Sequence, residues 1–456
     1  MKKLAVINIV GLSQNHLGKH TPQITALANQ CATCNMIPTL PAVTSTVQSS
    51  ILTGKAPSSH GIVANGWHER KTHSTHFWRQ SNSLVHGDMV WDIAKSRNAA
   101  FTSANMFWWF NMYSTVDISV TPRPLYAANG LKFPDLWTNP TPLRNTLQHE
   151  LGQFPLFSFW GPNAGIESTK WIADASIRVQ QLHDPTFVCI YLPHLDYPLQ
   201  KFGPSHPQIE HELLRIDNEV GKLADHFSSQ NYSICLLSEY GIDQVHDSVA
   251  LNTLFRSKGY LAIRQERGRE YLDAGKSEAF AVPDHQVAHI YVKDKTRVSE
   301  ILTILQNTTG IEHIYTHDSL GELSHTRSGE IVVVAKDGFW FTHDWWEDPS
   351  CAPDYQQTVD IHRKPGYDPR ELFLAKGWKG SKPRIALKLL AKKLGFSTVF
   401  DVIEIDPSVV RGSHGRLPSM GATPPILIPP TDATIVDDPL PVTDLTSLFL
   451  EWMELL

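Results

Sequence analysis

Three consecutive hydroxyl side chains, those of Thr44, Ser45 and Thr46, stand directly before an apolar helical pattern that closes on Thr53-Gly54. A hydroxyl at this place is a good helix N-cap, because its oxygen accepts a hydrogen bond from a free N–H group of the first turn. The place also suits a nucleophile that attacks phosphorus, because the positive end of the helix dipole favours an alkoxide and a bound phosphoryl group. The spacing alone leaves both interpretations open.

Polar residues also follow three short apolar segments, LAVINIVGL (4–12), PTFVCIYLPHLD (185–196) and YSICLLSEYG (232–241). Continuous apolar runs of this length are typical of strands that are buried on both faces of a parallel sheet. Such sheets bind ligands just outside the carboxyl ends of their strands. We therefore expect a site among the residues that follow these strands, which are Gly11, Leu12, Ser13, His194, Leu195, Asp196, Ser238, Glu239, Tyr240 and Gly241.

Helical stretches such as HPQIEHELLRIDNEVGKLADHF (206–227) separate these segments, and AHIYV (288–292) repeats the strand pattern. Strands that alternate with helices predict βαβ units, and therefore an α/β fold whose mainly parallel sheet is flanked by helices. A chain of 456 residues is long enough for one large domain with insertions or for two domains. We favour a single catalytic domain over residues 1–456.

Two stretches depart from the alternating pattern. Residues 105–170 hold NMFWWFNMY, PRPLY, LWTNPTP and FWGPN, which are rich in aromatic residues and proline and predict an inserted cap. Residues 289–343 predict a small α/β subdomain. Aromatic faces stack on bases and sugar rings, so the candidate substrate-binding residues are Trp108, Trp109, Asn111 and Tyr113. The alternative is a cap that packs on its own aromatic side chains.

The composition, with 41% hydrophobic and 19% charged residues, is that of a globular protein. A net charge of −6 and the lack of a run of five Lys/Arg give no reason to expect a nucleic acid polymer as partner. No run reaches the ~18 apolar residues that span a bilayer, so we expect no membrane partner. Five cysteines, odd in number and widely spread, argue against a disulfide framework and favour a cytoplasmic location. The CxxC of Cys31 and Cys34 has no second pair at zinc-finger spacing, which favours two buried thiols.

The segment from Thr44 to Asn65 resembles the nucleophile segment of the nucleotide pyrophosphatase/phosphodiesterase family in the alkaline phosphatase superfamily. Thr44, Thr53-Gly54, His60-Gly61-Ile62 and Asn65 stand at distances that match the family's pattern. IHRKPGYDPRELF (361–373) and GSHG (412–415) look like segments of the family's bacterial members. The resemblance implies an alkaline phosphatase-like core, Thr44 as covalent nucleophile, and Asn65 as a donor to a phosphoryl oxygen.

The family also implies two divalent metal ions, and here the sequence departs from the pattern. The family's ligand positions are occupied in this chain by Val10, Thr44, Asp196, Gln200, Glu239, Tyr240 and His414. Two ions clamp the attacking and leaving oxygens in such sites. With Val10, Gln200 and Tyr240 in place of an Asp and two His, we expect at most one firmly held Zn, Mn or Mg ion. Its ligands would be Asp196 and His414, with His194 or Glu239 as a further ligand.

Two further residues have alternative interpretations. Tyr240 is either a hydroxyl donor and proton-transfer group or a side chain that fills a vacated ligand position by packing. His285, which follows Asp284, has the residue type of a metal ligand, but a buried core histidine is the other interpretation.

The leading hypothesis from the sequence is a hydrolase that cleaves phosphodiester or pyrophosphate bonds through a Thr44-phosphoryl intermediate. Its substrate would be a small phosphorylated metabolite or a nucleotide. The alternatives are transfer or hydrolysis on another phosphorylated or sulfated metabolite, and a catalytically silent binding protein on the same scaffold. Val10 and Tyr240 favour the silent protein, whereas four residues together favour the enzyme, which are Thr44, Asn65, Asp196 and His414. The sequence does not predict the oligomeric state.

Overall fold

The structure is a computed structural model that describes residues 1–128, 131–396, 398–435 and 437–456. Within these ranges nine strands form the main sheet, and five of its eight neighbouring strand pairs are parallel. In spatial order the strands are β23 (Leu440–Pro441), β2 (Cys34–Ile37), β22 (Ile426–Ile428), β11 (Tyr232–Leu237), β1 (Lys3–Ile9), β10 (Phe187–Leu192), β5 (Ser103–Met106), β6 (Ile118–Pro122) and β9 (Leu136–Asn139).

The three strands that the apolar segments predict lie side by side at the centre of this sheet. β1 pairs in parallel with β10 on one side and with β11 on the other. Every residue of β10, and every residue of β1 after Lys3, is buried, because both faces of these strands are covered. Their carboxyl ends therefore meet at one edge of the sheet, where Asp196 follows β10 and Glu239 follows β11. The predicted α/β fold with a mainly parallel sheet is confirmed.

The α-helices of the described residues are α1 (Pro22–Ala28), α2 (Thr44–Thr53), α3 (Pro57–His60), α4 (Val90–Arg97), α5 (Leu143–Leu151), α6 (Leu156–Phe159), α7 (Ile166–His183), α8 (Asp196–Phe202), α9 (Gln208–Ser229), α10 (Leu251–Ser257), α11 (Val298–Gln306), α12 (Lys382–Lys393) and α13 (Leu445–Trp452). α9 packs against β11 through a buried stripe that includes Leu213, Ile216, Val220 and Leu223. Their spacing of three and four residues puts them on one helix face. α7 packs against β10, and α13 packs against α2.

A second sheet is four-stranded and antiparallel, in the order β16 (Ala279–Asp284), β17 (Val287–Val292), β19 (Ile331–Ala335) and β18 (Ile311–Thr316). The expectation that residues 288–292 repeat the parallel βαβ pattern is therefore wrong. A short apolar run indicates a buried strand but does not specify its partner, and a tight turn at His285 folds β17 back onto β16. The predicted subdomain of residues 289–343 overlaps this sheet, which begins earlier, at Ala279.

The remaining strands form two-stranded pairs, which are β3 (Gly66–Glu69) with β4 (Ser74–Phe77), β7 (Leu125–Tyr126) with β8 (Lys132–Phe133), β12 (Asp243–Gln244) with β21 (Gly412–Ser413), β13 (Asp247–Ala250) with β20 (Phe339–Thr342), and β14 (Ile263–Glu266) with β15 (Arg269–Leu272). Residues 105–170, the predicted cap, supply β6 and β9 to the main sheet as well as the pair β7 and β8. Across the described ranges, no helix has the length and apolar character needed to cross a membrane.

Candidate active site

A cleft of about 1490 Å³ opens at the carboxyl edge of the main sheet. Its polar lining includes side chains from several separate segments of the chain, which are Thr44, Tyr191, Asp196, Tyr240, His285 and His414. Its walls include the aromatic side chains of Trp78, Trp109 and Trp160. A large apolar cleft with a few convergent polar groups is the usual form of a small-molecule site.

Thr44 is the first residue of α2, and its side chain faces the cleft. The N-cap is Val43, whose extended backbone precedes the helix, so the expectation that Thr44 or Ser45 caps the helix is wrong. Because Thr44 Oγ1 does not turn back to the helix, it is free to share a hydrogen bond of 3.0 Å with Tyr240 Oη. The hydroxyl therefore lies at a helix N-terminus, where the dipole favours negative charge.

Asn65 holds the start of α2 in place. Its Oδ1 accepts a hydrogen bond of 2.9 Å from the backbone N–H of Ser45, and its Nδ2 donates to Asp284 Oδ1 over 3.1 Å. The backbone N–H of Asn65 donates to the other Asp284 oxygen over 2.7 Å. Nδ2 carries two hydrogens and donates one of them to Asp284. Burial raises the pKa of the Asp284 carboxyl to about 6, against the hydrogen bonds from Asn65, which lower it.

Tyr240, Asp196 and His414 form the centre of the cleft floor. Tyr240 Oη donates to Asp196 Oδ1 over 3.4 Å, and the Tyr240 ring stacks on the His414 imidazole with centroids 3.6 Å apart. His414 Nδ1 donates to the carbonyl oxygen of Ala42 over 2.7 Å. Nε2 therefore keeps a free lone pair and lies 3.8 Å from Asp196 Oδ1. Burial, with a smaller contribution from the charge of Glu239, raises the pKa of Asp196 to about 7.

His285 belongs to the same cluster. Its ring lies 3.7 Å from the His414 ring and stacks on Tyr367 at 3.6 Å, and its Nδ1 donates to Asp284 Oδ1 over 2.7 Å. Burial lowers the pKa of both imidazoles well below the ordinary histidine value, so both rings are neutral. His285 Nε2 and His414 Nε2 are buried acceptors that have no hydrogen-bond partner among the described residues.

Glu239 lies behind Thr44 and is fully buried. Its Oε2 accepts hydrogen bonds of 2.8 Å from Asn8 Nδ2 and from Gln48 Nε2. Gln48 in turn accepts the backbone N–H of Trp109 over 2.7 Å, which ties the carboxylate to the cleft wall. Burial raises the pKa of Glu239 to about 7, against the hydrogen bonds from Asn8 and Gln48. Among the described residues the second oxygen, Oε1, has no partner.

The residues present do not fit a tightly held pair of divalent ions. At the position next to Thr44, the Val10 side chain has no lone pair and the Tyr240 ring is stacked on His414, so Glu239 is the only remaining charged ligand. At the second position Gln200 turns its N–H group to Asp196 Oδ2 over 2.7 Å, while its oxygen accepts from Tyr367. Firmly held ions take three or four protein ligands. No group of three His, Cys, Asp or Glu with metal-binding geometry occurs in the described part of the chain.

Three predicted site residues lie away from the cleft floor. His194 Nε2 bonds Glu212 Oε2 over 2.9 Å, so the ring points to α9 and not to Asp196. Trp108 is fully buried in the core. Asn111 Nδ2 donates to the backbone carbonyl oxygens of Asn105 and Val120 in the main sheet. Trp109 and Tyr113, the other two predicted aromatic residues, line the cleft.

Three tyrosines complete the site without having been singled out from the sequence. Tyr191 is the last residue but one of β10 and lines the cleft, and Tyr197 follows Asp196 in α8. Tyr367 donates to Gln200 Oε1 over 3.1 Å and supports the His285 ring. Tyr191 lies two residues before the proline that ends the strand, and its position at a carboxyl strand end was a signal that points to the site.

Comparison with known proteins gives one family and several related folds. The sequence model of a family described as type I phosphodiesterase / nucleotide pyrophosphatase matches residues 4–368. Human ectonucleotide pyrophosphatase/phosphodiesterase family member 1 is 24% identical over 220 residues, which are 46% of this chain. The match spans 20% of that relative's length.

Two solved structures share the fold over nearly the whole chain. An inactive variant of murine ectonucleotide pyrophosphatase / phosphodiesterase 5, in complex with AMP, is similar with a TM-score of 0.60 and 13% identity, covering 100% of this chain and 96% of that one. Phosphonoacetate hydrolase from Sinorhizobium meliloti, in complex with phosphonoacetate, is similar with a TM-score of 0.63 and 12% identity, covering 98% and 94%. At these identities the likeness shows the fold alone.

Proposed function

Because the chain belongs to the type I phosphodiesterase/nucleotide pyrophosphatase family, a family of hydrolases, we propose that it cleaves phosphodiester or pyrophosphate bonds through a covalent bond to Thr44. The resemblance of the Thr44 to Asn65 segment to the family's nucleophile segment agrees with this membership. The proposed substrates are small phosphorylated metabolites or nucleotides.

The observation that carries the proposal is the position of the Thr44 hydroxyl. It lies at the first residue of α2, on the cleft floor, and its oxygen shares a hydrogen bond of 3.0 Å with Tyr240. A helix N-terminus supplies N–H groups and a positive dipole end that stabilise both a threonine alkoxide and phosphoryl oxygens. Asn65 holds this turn, since its Oδ1 accepts the backbone N–H of Ser45, and we propose that the second N–H of its Nδ2 donates to a phosphoryl oxygen. A hydroxyl used only for capping would have no reason to face the cleft.

The geometry supports a proton path from Thr44 through Tyr240 to Asp196. Thr44 Oγ1 lies 3.0 Å from Tyr240 Oη, which lies 3.4 Å from Asp196 Oδ1. As the Oγ1–phosphorus bond forms and the bond to the leaving oxygen breaks, the Thr44 proton moves to Tyr240 and the Tyr240 proton moves to Asp196. The leaving oxygen departs as an anion. Water then attacks phosphorus and gives one proton to that anion, while the Oγ1–phosphorus bond breaks and the proton on Asp196 returns through Tyr240 to Thr44 Oγ1.

The cleft also offers charge and stacking surfaces for an anionic substrate. Six cationic side chains line it, which are Arg79, Arg123, Lys132, Arg363, Lys382 and Lys392. Trp78 lies edge-on to Trp109, with centroids 5.3 Å apart, so the wall has rigid aromatic faces. Cations lower the cost of bringing a phosphate into a low-dielectric cleft, and aromatic faces stack on bases. This lining supports a nucleotide or another aromatic phosphate ester as substrate.

A divalent ion is part of the family's chemistry, where it stabilises charge on the phosphoryl oxygens. In this chain, one pair of candidate ligands is Asp196 and His414, and a second, separate pair is Glu239 and Thr44. We propose that any ion is held weakly, and no step of the proposed reaction depends on it.

The test is the pH dependence of wild-type turnover on bis(p-nitrophenyl) phosphate. Only the ionised form of Asp196 accepts the proton, and burial raises its pKa to about 7. Activity is therefore expected to fall as the pH decreases through about 7, and kcat/KM measured from about pH 5 to about pH 9 checks it.

Asp196→Asn isolates the group responsible. The variant is expected to lose about 100-fold or more in kcat and to lose the acid limb of the profile, since an amide does not accept the proton. Glu212→Gln is the matched control, because Glu212 bonds His194 outside the cleft. An acid limb that persists unchanged in Asp196→Asn contradicts the proton path. Absence of turnover on every phosphodiester and pyrophosphate tested, with binding retained, favours the silent binding protein instead.

A further inference from the structure

Helix α12 exposes apolar side chains that nothing in the described chain covers. The exposed fractions of Leu387, Leu390 and Leu394 are 59%, 54% and 66%, and none of the helix's residues is buried. Leu387 and Leu390 lie three residues apart on one face of α12, and Leu394 follows at its C-cap. Phe396, which is 66% exposed, continues the apolar surface beyond the helix. Contiguous exposed apolar surface of this kind marks a docking surface.

The same segment concentrates positive charge. Residues 372–400 hold seven Lys/Arg and no Asp/Glu, which are Lys376, Lys379, Lys382, Arg384, Lys388, Lys392 and Lys393. The whole chain carries a net charge of −6, so the rest of it carries −13, which is −6 minus +7. Arg384 and Lys388 pair with Asp401, while Lys382 and Lys393 form no ion pair with a described residue. The helix is thus a basic amphipathic element on an acidic protein.

The apolar surface extends from α12 to the rim of the cleft. Ile385, Ala386 and Leu389, on another face of the helix, line the cleft. The rim also exposes apolar or aromatic side chains from other segments, which are Tyr113, Tyr126, Phe157, Leu374 and Val399. We call α12, its exposed leucines and this rim the basic apolar surface.

We propose that the basic apolar surface docks on an anionic lipid bilayer, with α12 lying in the plane of the membrane interface. A basic helix with a leucine face binds such interfaces by burying its apolar face while its lysines attract anionic head groups. A second copy of this chain is a poorer occupant, because a two-fold contact would bring the seven cations of one copy against those of the other. The expectation of no membrane partner rests on the lack of a spanning segment, and an interfacial helix needs none.

Vesicle co-sedimentation of the full chain tests this surface. Wild-type protein is expected to sediment with vesicles of mixed phosphatidylglycerol and phosphatidylcholine, and to bind pure phosphatidylcholine at least about tenfold more weakly. Raised salt is expected to weaken the binding, because salt screens the attraction between the lysines and the anionic head groups. Leu387→Ser/Leu390→Ser/Leu394→Ser is expected to abolish sedimentation, and Lys393→Glu to weaken it about tenfold.

The matched control is Leu182→Ser/Leu214→Ser, which removes two leucines that are 40% exposed on α7 and α9. It is expected to bind vesicles like the wild type, and circular dichroism shows that each variant stays folded. Wild-type protein that fails to bind anionic vesicles overturns the proposal. Binding that survives the triple leucine substitution also overturns it, as does a wild-type dimer that the triple substitution dissociates without any vesicle binding.

Discussion

Replacement of Thr44 by alanine is expected to lower kcat on a phosphodiester substrate by at least about 1000-fold, because it removes the atom that bonds phosphorus. The side chain shares a hydrogen bond with Tyr240 and lines the cleft, apart from the hydrophobic core. The fold is therefore expected to survive, with a melting temperature close to that of the wild type. Substrate binding is expected to change far less than kcat, since the helix N-terminus and Asn65 remain.

Two further variants separate nucleophilic attack from local packing. Thr44→Ser keeps a hydroxyl and is expected to retain a substantial fraction of the activity. Ser49→Ala removes a hydroxyl from the same helix, which donates to the carbonyl oxygen of Ser45 over 2.7 Å, and is expected to retain turnover. Turnover by Thr44→Ala within a few-fold of the wild type contradicts the proposed reaction.

Replacement of Gln200 by histidine is expected to create a stoichiometric zinc site. Gln200 lies one helical turn after Asp196 in α8, on the same face, and its amide nitrogen already contacts Asp196 Oδ2 over 2.7 Å. With His414 Nε2 3.8 Å from Asp196, a third ligand completes the set that a tightly held ion needs. Isothermal titration of purified, chelator-treated protein is expected to show binding near one equivalent in the variant and much weaker binding in the wild type.

The control for this experiment adds Asp196→Asn to Gln200→His, which removes one ligand and is expected to return zinc binding to the wild-type level. Gln230→His, which places a histidine after α9 and outside the cleft, is expected to leave zinc binding unchanged. Equimolar zinc held by the wild-type protein through the cleft residues contradicts the interpretation of Gln200 as the missing ligand.

Much of the main sheet followed from the apolar segments. β1, β10 and β11 are the three predicted strands, and the residues after them do meet at one edge, because parallel strands share a direction. The strand at 288–292 was placed in the wrong pattern, since its partner is set by the turn at His285 and not by its own composition. Thr44 and Asn65 are identified as site residues through the family resemblance. Without it, the hydroxyl at Thr44 could equally be a helix cap.

The polar network of the site was harder to predict because its contacts join distant parts of the chain. Asp284 and His285 lie on the turn of the second sheet, yet they meet Asn65 and His414 at the edge of the first. Orientation was the other obstacle. His194 and Asp196 are two residues apart, but the ring of His194 points to Glu212 while Asp196 faces the cleft. Sequence spacing places a residue near a strand end without fixing the direction of its side chain.

Mass spectrometry of acid-quenched wild-type protein tests the central claim, a covalent bond to Thr44, most directly. Rapid mixing with bis(p-nitrophenyl) phosphate is expected to release nitrophenolate in a burst and to leave a nitrophenyl phosphoryl group on the peptide that contains Thr44. The same peptide from Thr44→Ala is expected to stay unmodified. Steady turnover without an adduct on Thr44, or with an adduct on another residue, contradicts the account.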